Sequence, residues 1–247
     1  MKFGRSKVCV FDHPNEISDF VIRIWDRISQ KAVRGKGRFF VGLSGGRTPV
    51  DLYHRLSDMK ETLGWEKTHV FLVDERFVPF DHPDSNYRML KETLFDHVPI
   101  PRENIHPIPT EGSTLEGSAT AYEKDLEKSF GLSEKGLPQF DLLILGIGED
   151  GHTASLFPGS PALKDRMNLV APVPLNEAKH SRITLTLPVI NHARHILFLV
   201  TGKDKAPVLQ KIIDGKDGCL PASMVHCKRG SLIFVLDREA SILLSGS

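Results

Sequence analysis

The residues best placed to do chemistry fall in one stretch, Asp141 to Pro158. It opens on Leu142-Leu143-Ile144-Leu145 and then breaks into Gly146, Gly148 and Gly151, mixed with Glu149, Asp150 and His152. An apolar run without polar alternation suits a strand buried on both faces, as in a parallel sheet. A buried strand that ends in glycines and acid–base side chains is where open α/β folds place their ligands. His152 is the natural general base, because an unperturbed imidazole titrates at about 6.5. Asp150, one residue removed from it, could hold the required tautomer. The chain has 11 histidines, and the other ten sit in no comparable loop.

The candidates for holding an anion lie elsewhere. Ser44-Gly45-Gly46-Arg47-Thr48-Pro49 follows the apolar run Phe39 to Leu43 and precedes a helical pattern. A strand, a Gly-rich loop and a helix start together present free backbone N–H groups and the positive end of a helix. Ser44 and Thr48 add hydroxyl donors. The loop fits neither the nucleoside triphosphate pattern nor Gly-x-Gly-x-x-Gly. Asp74-Glu75-Arg76 follows a third apolar run, Val70 to Val73. Charges there are tolerable only at an exposed strand end, and Arg76 could face an oxyanion or a phosphate. Arg182 and Lys205 complete the set. No His-x-x-x-His or paired cysteines suggest a metal, and Gly-x-Ser-x-Gly is absent, so neither a metal nor a cofactor nor a serine nucleophile is expected. A histidine that activates water is the simplest mechanism.

The elements that must position these groups follow from periodicity. Val8–Phe11, Phe39–Leu43, Val70–Val73, Leu142–Leu145, Leu169–Ala171, Arg182–Leu187, Ile196–Val200 and Leu232–Leu236 read as strands. Ile17, Phe20, Val21, Ile24, Trp25 and Ile28 form the stripe of an amphipathic helix, which Gly35 and Gly37 stop. Further helices are expected through Leu52 to Leu56, from the Ser85 cap to Leu94, over Leu115 to Phe130 with Gly131 as its stop, after Pro188, through Val208 to Ile213, and over Asp237 to Leu244. Pro99, Pro101, Pro107 and Pro109 mark a connection. Sustained alternation predicts a mostly parallel open α/β sheet with helices on both faces, Rossmann-like. No repeat or linker divides it, so residues 1–247 are expected to form a single domain.

Composition sets outer limits. The 247 residues are 40% hydrophobic and 26% charged, with 32 Lys+Arg against 31 Asp+Glu. That balance gives no global field for nucleic acid or an anionic membrane. Three widely spaced cysteines argue against a disulfide framework. No window is long and apolar enough to span a membrane, and the N-terminal run is too short for a signal peptide. A cytoplasmic protein is expected, as a monomer or small homo-oligomer.

Taken together, Ser44–Pro49, Asp74–Arg76 with Asp84-Ser85-Asn86, Gly146–Pro158 and Arg182–Thr186 resemble the 6-phosphogluconolactonase family. The match in order and spacing runs over essentially the whole chain, and the Gly/His segment is its most specific part. The wider superfamily includes glucosamine-6-phosphate deaminase, on a related α/β fold. The resemblance implies hydrolysis of 6-phospho-glucono-1,5-lactone to 6-phosphogluconate in the oxidative pentose phosphate route, so that the partner is a phosphosugar lactone. It implies that the Ser44-Gly45-Gly46 loop, Arg182 and Lys205 hold the phosphate, that His152 activates water, and that Arg76 lies close to charged groups of the substrate. Asp74 and Asp150 match acidic positions of both families.

Two departures stand out. The deaminase carries a glutamate five residues after the loop histidine; here that position is Phe157. Arg47 stands where the lactonases mostly have serine. The alternatives are a deaminase or isomerase, and a non-catalytic sugar-phosphate sensor. A sensor of the transcription-regulator type would want an N-terminal helix-turn-helix, for which the residues before Arg38 leave no room.

Overall fold

The structure is a computed structural model, and it describes residues 6–133, 136–175, 180–215, 218–228 and 230–244. Ten strands and seven α-helices are named here: β1 Ser6–Phe11, α1 Pro14–Lys36, β2 Phe39–Leu43, α2 Val50–Asp58, β3 Thr68–Leu72, β4 Asp74–Arg76, α3 Asn86–Thr93, β5 Ile105–His106, α4 Leu115–Phe130, β6 Leu142–Leu145, β7 Val170–Val173, β8 Arg182–Leu185, α5 Leu187–His192, β9 His195–Val200, α6 Ala206–Ile213, β10 Ser231–Asp237 and α7 Arg238–Ser241.

Seven strands form one sheet in the order β1-β10-β9-β6-β2-β3-β5, and every pairing in it is parallel. The mostly parallel α/β architecture expected from the apolar runs is the one observed. After β2 the chain builds outward through β3 and β5; from β6 it builds the other way through β9 and β10. β2 and β6 are neighbours, so the loops that follow them diverge at a topological switch point, where open α/β sheets leave a crevice.

The uniform apolarity of the central strands has its physical reason in this sheet. Every residue of β2 and of β6 is buried. Phe71 of β3 lies among Phe40, Phe130 and Phe140, and stacks on His106 of β5 with ring centroids 3.9 Å apart. Trp25 of α1 meets Phe39 edge-on and tilts against Trp65. Full burial of each such side chain is worth roughly 1.5–3 kcal/mol.

Helix ends follow the local chemistry. Ser85 caps α3 by accepting from the N–H of Arg88, and Thr114 caps α4 by accepting from that of Gly117. α4 runs over the expected residues. α1 continues through Gly35 and stops at Gly37, whose φ of 77° is left-handed. The closing helix is shorter than expected: Asp237 caps it, and the α-helix proper ends at Ser241.

Two features lie outside the sequence reading. Ile105–His106, inside the Pro-marked connection, pairs with β3. Asp74–Arg76 is not a loop past a strand end but a strand of a second sheet. That sheet has the order β4-β8-β7 and is antiparallel throughout. The chain passes into it at Val73, whose N–H donates to Leu43 and whose carbonyl accepts from Leu185.

Candidate active site

A cavity of about 460 Å³ opens at the switch point, over the C-terminal ends of β2, β6 and β9. Its walls hold Ser44, Gly45, Gly46, Arg47, Thr48 and Pro49 from the β2–α2 junction, and Gly146 to Glu149, His152 and Ala154 from the loop after β6. Asp74, Arg76, Asn86 and Lys205 close it. A larger cleft of about 710 Å³ lies at the opposite strand ends, against α1. Its carboxylate, Asp141, is engaged by Lys36 at 2.8 Å and by the N–H of Phe40. Its histidine, His195, has Nδ1 against Ser231 Oγ, and burial and then Lys31 hold its pKa below the usual range. Both groups are thus engaged by neighbouring residues of the fold.

The loop after β6 is built around His152. Its Nδ1 lies 2.5 Å from Oδ1 of Asp150, which also accepts the backbone N–H of His152 at 3.1 Å. With Nδ1–H donated to the carboxylate, Nε2 is left as the free lone pair of the neutral ring. Burial pushes the Asp150 carboxyl up, but the N–H of His152, its charge and its ring outweigh that and leave the pKa below the ordinary value. The loop returns on itself through Gly148, which donates its N–H to the His152 carbonyl at 2.8 Å and accepts from Gly151. The ring lies so close over Gly148 that a Cβ there would stand 2.1 Å from it. Ala154 holds a φ of 51°, a costly conformation for a residue with a side chain. Phe157 packs on the imidazole, with centroids 4.7 Å apart.

Across the cavity, Gly45 to Pro49 line the opening and lead into α2 at Val50. Ser44 is buried; its carbonyl accepts from Tyr53 Oη at 2.6 Å, while its own Oγ has no protein partner. Gly45 is required by Asn86: a Cβ on it would fall 1.9 Å from Asn86 Oδ1. Lys205 follows β9 in a short 3-10 turn and leads into α6.

The small sheet supplies the rest. Asp74 is buried, accepts from Ser155 Oγ at 2.6 Å through Oδ2, and gives its carbonyl to Asn86 Nδ2. Glu75, fully buried, takes the N–H groups of Arg76, Asn86 and Tyr87, each at 2.7 Å, and the hydroxyl of Ser85. Burial drives its pKa up to about 7 against the pull of those N–H groups. Arg76 Nη1 donates to the Asp84 carbonyl at 2.6 Å.

Eight expected site residues, Ser44, Gly45, Gly46, Thr48, Asp74, Arg76, His152 and Lys205, are therefore brought to one cavity. Asp150 stands behind His152 rather than on the wall. Arg182 is off the wall as well: it faces Arg76 across the β4–β8 ladder, and its Nη1 is buried without a protein partner. Burial and then Arg76 lower its pKa. Asn86 and Glu149, which belong to the quoted motifs but were given no role, also line the cavity. The Ser85 cap signalled the helix that carries Asn86, but no spacing rule ties it to Gly45.

Fold and site together define an open α/β protein whose switch-point cavity joins a glycine-rich βα junction to a histidine paired with a carboxylate. The sequence matches the model of the family described as glucosamine-6-phosphate isomerases/6-phosphogluconolactonase over residues 12–234, and the chain belongs to that family. A 6-phosphogluconolactonase of Synechocystis sp. is 44% identical over 214 residues, covering 85% of this chain and 86% of that one. The solved 6-phosphogluconolactonase of Trypanosoma brucei superimposes with a TM-score of 0.87 at 32% identity, covering 98% of this chain and 99% of that one. A monomeric glucosamine-6-phosphate deaminase superimposes with a TM-score of 0.79 at 26% identity, covering 96% and 99%.

Proposed function

We propose that the protein hydrolyses 6-phospho-D-glucono-1,5-lactone to 6-phospho-D-gluconate, with His152 as the base that activates water. The observation that carries the reading is His152, paired with Asp150 behind it and set on the wall of a cavity rimmed by Arg47, Arg76 and Lys205. The activity is that of the relatives in Synechocystis and Trypanosoma brucei.

The chemistry follows from the parts. The phosphate sits against the N–H groups of the Ser44–Thr48 junction and Lys205, with Arg76 and Arg182 adding charge beside it. Anchoring that remote group places the lactone carbonyl near His152. Nε2 takes a proton from water as its oxygen attacks C1, and the carbonyl becomes a tetrahedral oxyanion. Asp150 steadies the imidazolium so formed. When the oxyanion collapses, the bond from C1 to the ring oxygen breaks. The departing oxygen takes the proton from Nε2, which leaves a free acid and a neutral base. Asp74, locked by Ser155 and Asn86, contributes charge and shape to the cavity floor.

The test is acid release from freshly made lactone. The protein accelerates it, and His152→Ala lowers the rate chiefly through kcat. A rate equal to the spontaneous one sinks the reading. An unchanged rate in His152→Ala removes the base assignment alone. The similarity to the deaminase makes glucosamine 6-phosphate the control substrate; Phe157, packed on His152 where the deaminase has a carboxylate, argues against turnover of it. The chain acts in the cytoplasm as a single α/β domain, a monomer or small homo-oligomer.

A further inference from the structure

A second group of ligating side chains lies outside the cavity. His82 and Asp84 belong to the segment that connects β4 to α3, and His180 lies two residues before β8. One ligand atom from each of the three comes within 4.8 Å of the other two; among the described residues no other such group of three or more occurs. His180 Nε2 is 3.2 Å from Asp84 Oδ2, and His82 Nδ1 is 3.9 Å from the same oxygen. The rings of His82 and His180 meet edge-on at 5.2 Å. His82 Nδ1 accepts the backbone N–H of Asp84 at 3.1 Å.

We infer that His82, Asp84 and His180 bind a divalent transition-metal cation of the zinc type. Zinc holds imidazole nitrogen and carboxylate oxygen at about 2.0–2.2 Å in a tetrahedron, which sets neighbouring ligand atoms about 3.4 Å apart. The spacing from His180 to Asp84 meets that value, and His82 comes within range when its ring turns from the Asp84 N–H, so that the metal replaces that hydrogen bond. Two imidazoles and one carboxylate suit Zn²⁺, Co²⁺ or Ni²⁺ and disfavour Mg²⁺ and Ca²⁺, which take oxygen ligands. All three residues are partly or fully exposed, so water completes the coordination and the ion enters directly from solvent.

The position gives the site a consequence. Asp84 and His180 are 96 residues apart in the chain, and a bound ion staples the segment before α3 to the start of β8. Asp84 also offers its carbonyl to Arg76. The ion therefore fixes the backbone that holds one of the cations of the cavity. It takes no part in the reaction, whose base lies on a different loop.

The experiment uses chelator-treated full-length protein titrated with Co²⁺, with visible absorption as the readout, and the Tm with and without Zn²⁺. One equivalent of Co²⁺ is expected to give a saturable d–d band, and Zn²⁺ to displace it and raise the Tm. His82→Ala and His180→Ala should each weaken binding by at least about tenfold, and the double variant should lose the band. His82→Gln/His180→Gln replaces that double variant if circular dichroism shows it unfolded. His226→Ala, remote from the cluster, should bind as the unaltered protein does. No saturable band, or a band that survives in a folded double variant, overturns the assignment.

Discussion

Gly148 lies directly under the imidazole of His152: a Cβ at position 148 would stand 2.1 Å from both Nδ1 and Cε1 of that ring. The ring is thus seated by backbone on one side and by Phe157 on the other. Gly148→Ala must push the ring off its Asp150 partner. The expected result is a folded protein with kcat lowered by about 10²-fold, the penalty of misplacing a catalytic group by roughly an ångström. A normal kcat for this variant would show that the ring position is immaterial.

Asp150 fixes which nitrogen of His152 is free. Asp150→Asn keeps the shape but can turn an amide N–H toward Nδ1, and so favour the wrong tautomer. Initial rates should fall by about 10²-fold in kcat with KM little changed. A change confined to KM would mean that Asp150 acts on substrate binding instead.

Glu75 sets a pH dependence of stability. Its pKa is raised by burial from 4.5 to about 7. Between those values the unfolded chain has released the proton and the folded protein keeps it. Stability therefore falls as pH rises through that window, by on the order of 3 kcal/mol for this group. Urea unfolding at pH 5 and pH 8 measures it, and the difference between the two should shrink in Glu75→Gln. A variant with the same pH slope as the original protein would contradict the assignment.

Arg76 and Arg182 oppose each other across two strands, a like-charge pairing that costs stability and that Asp74, Glu75 and Asp84 offset only in part. Arg182→Met should leave the unliganded protein as stable or more so. It should also raise KM by less than Lys205→Met does, since Arg182 is off the cavity wall. Inorganic phosphate should raise the Tm of the original protein more than that of Arg182→Met. Equal shifts would detach Arg182 from the anion site.

Phe71 anchors the aromatic cluster and the His106 ring. Phe71→Ala should cost about 3–5 kcal/mol of unfolding free energy. Chemical denaturation reads this directly, and a loss under about 1 kcal/mol would mean that the cluster closes over the gap.

The parallel sheet was legible in the chain alone, because uniformly apolar runs such as Leu142–Leu145 have no polar face to give to water. The stop of α4 at Gly131 was legible as well, because the chemistry of a helix end is local. The chain's pattern also placed Ser44–Thr48, His152 and Lys205 at strand C-termini, since a glycine or a charge after a buried run can only lie at its open end. That Asp74–Arg76 is a strand follows from long-range pairing alone: three polar residues carry no period, and their partner is β8, over a hundred residues away. The fold alone sets Arg182 opposite Arg76, Asn86 against Gly45, and His180 beside His82 and Asp84. Those contacts are made between segments distant in the chain, and no spacing along the sequence encodes a meeting that the packing of the sheet alone brings about.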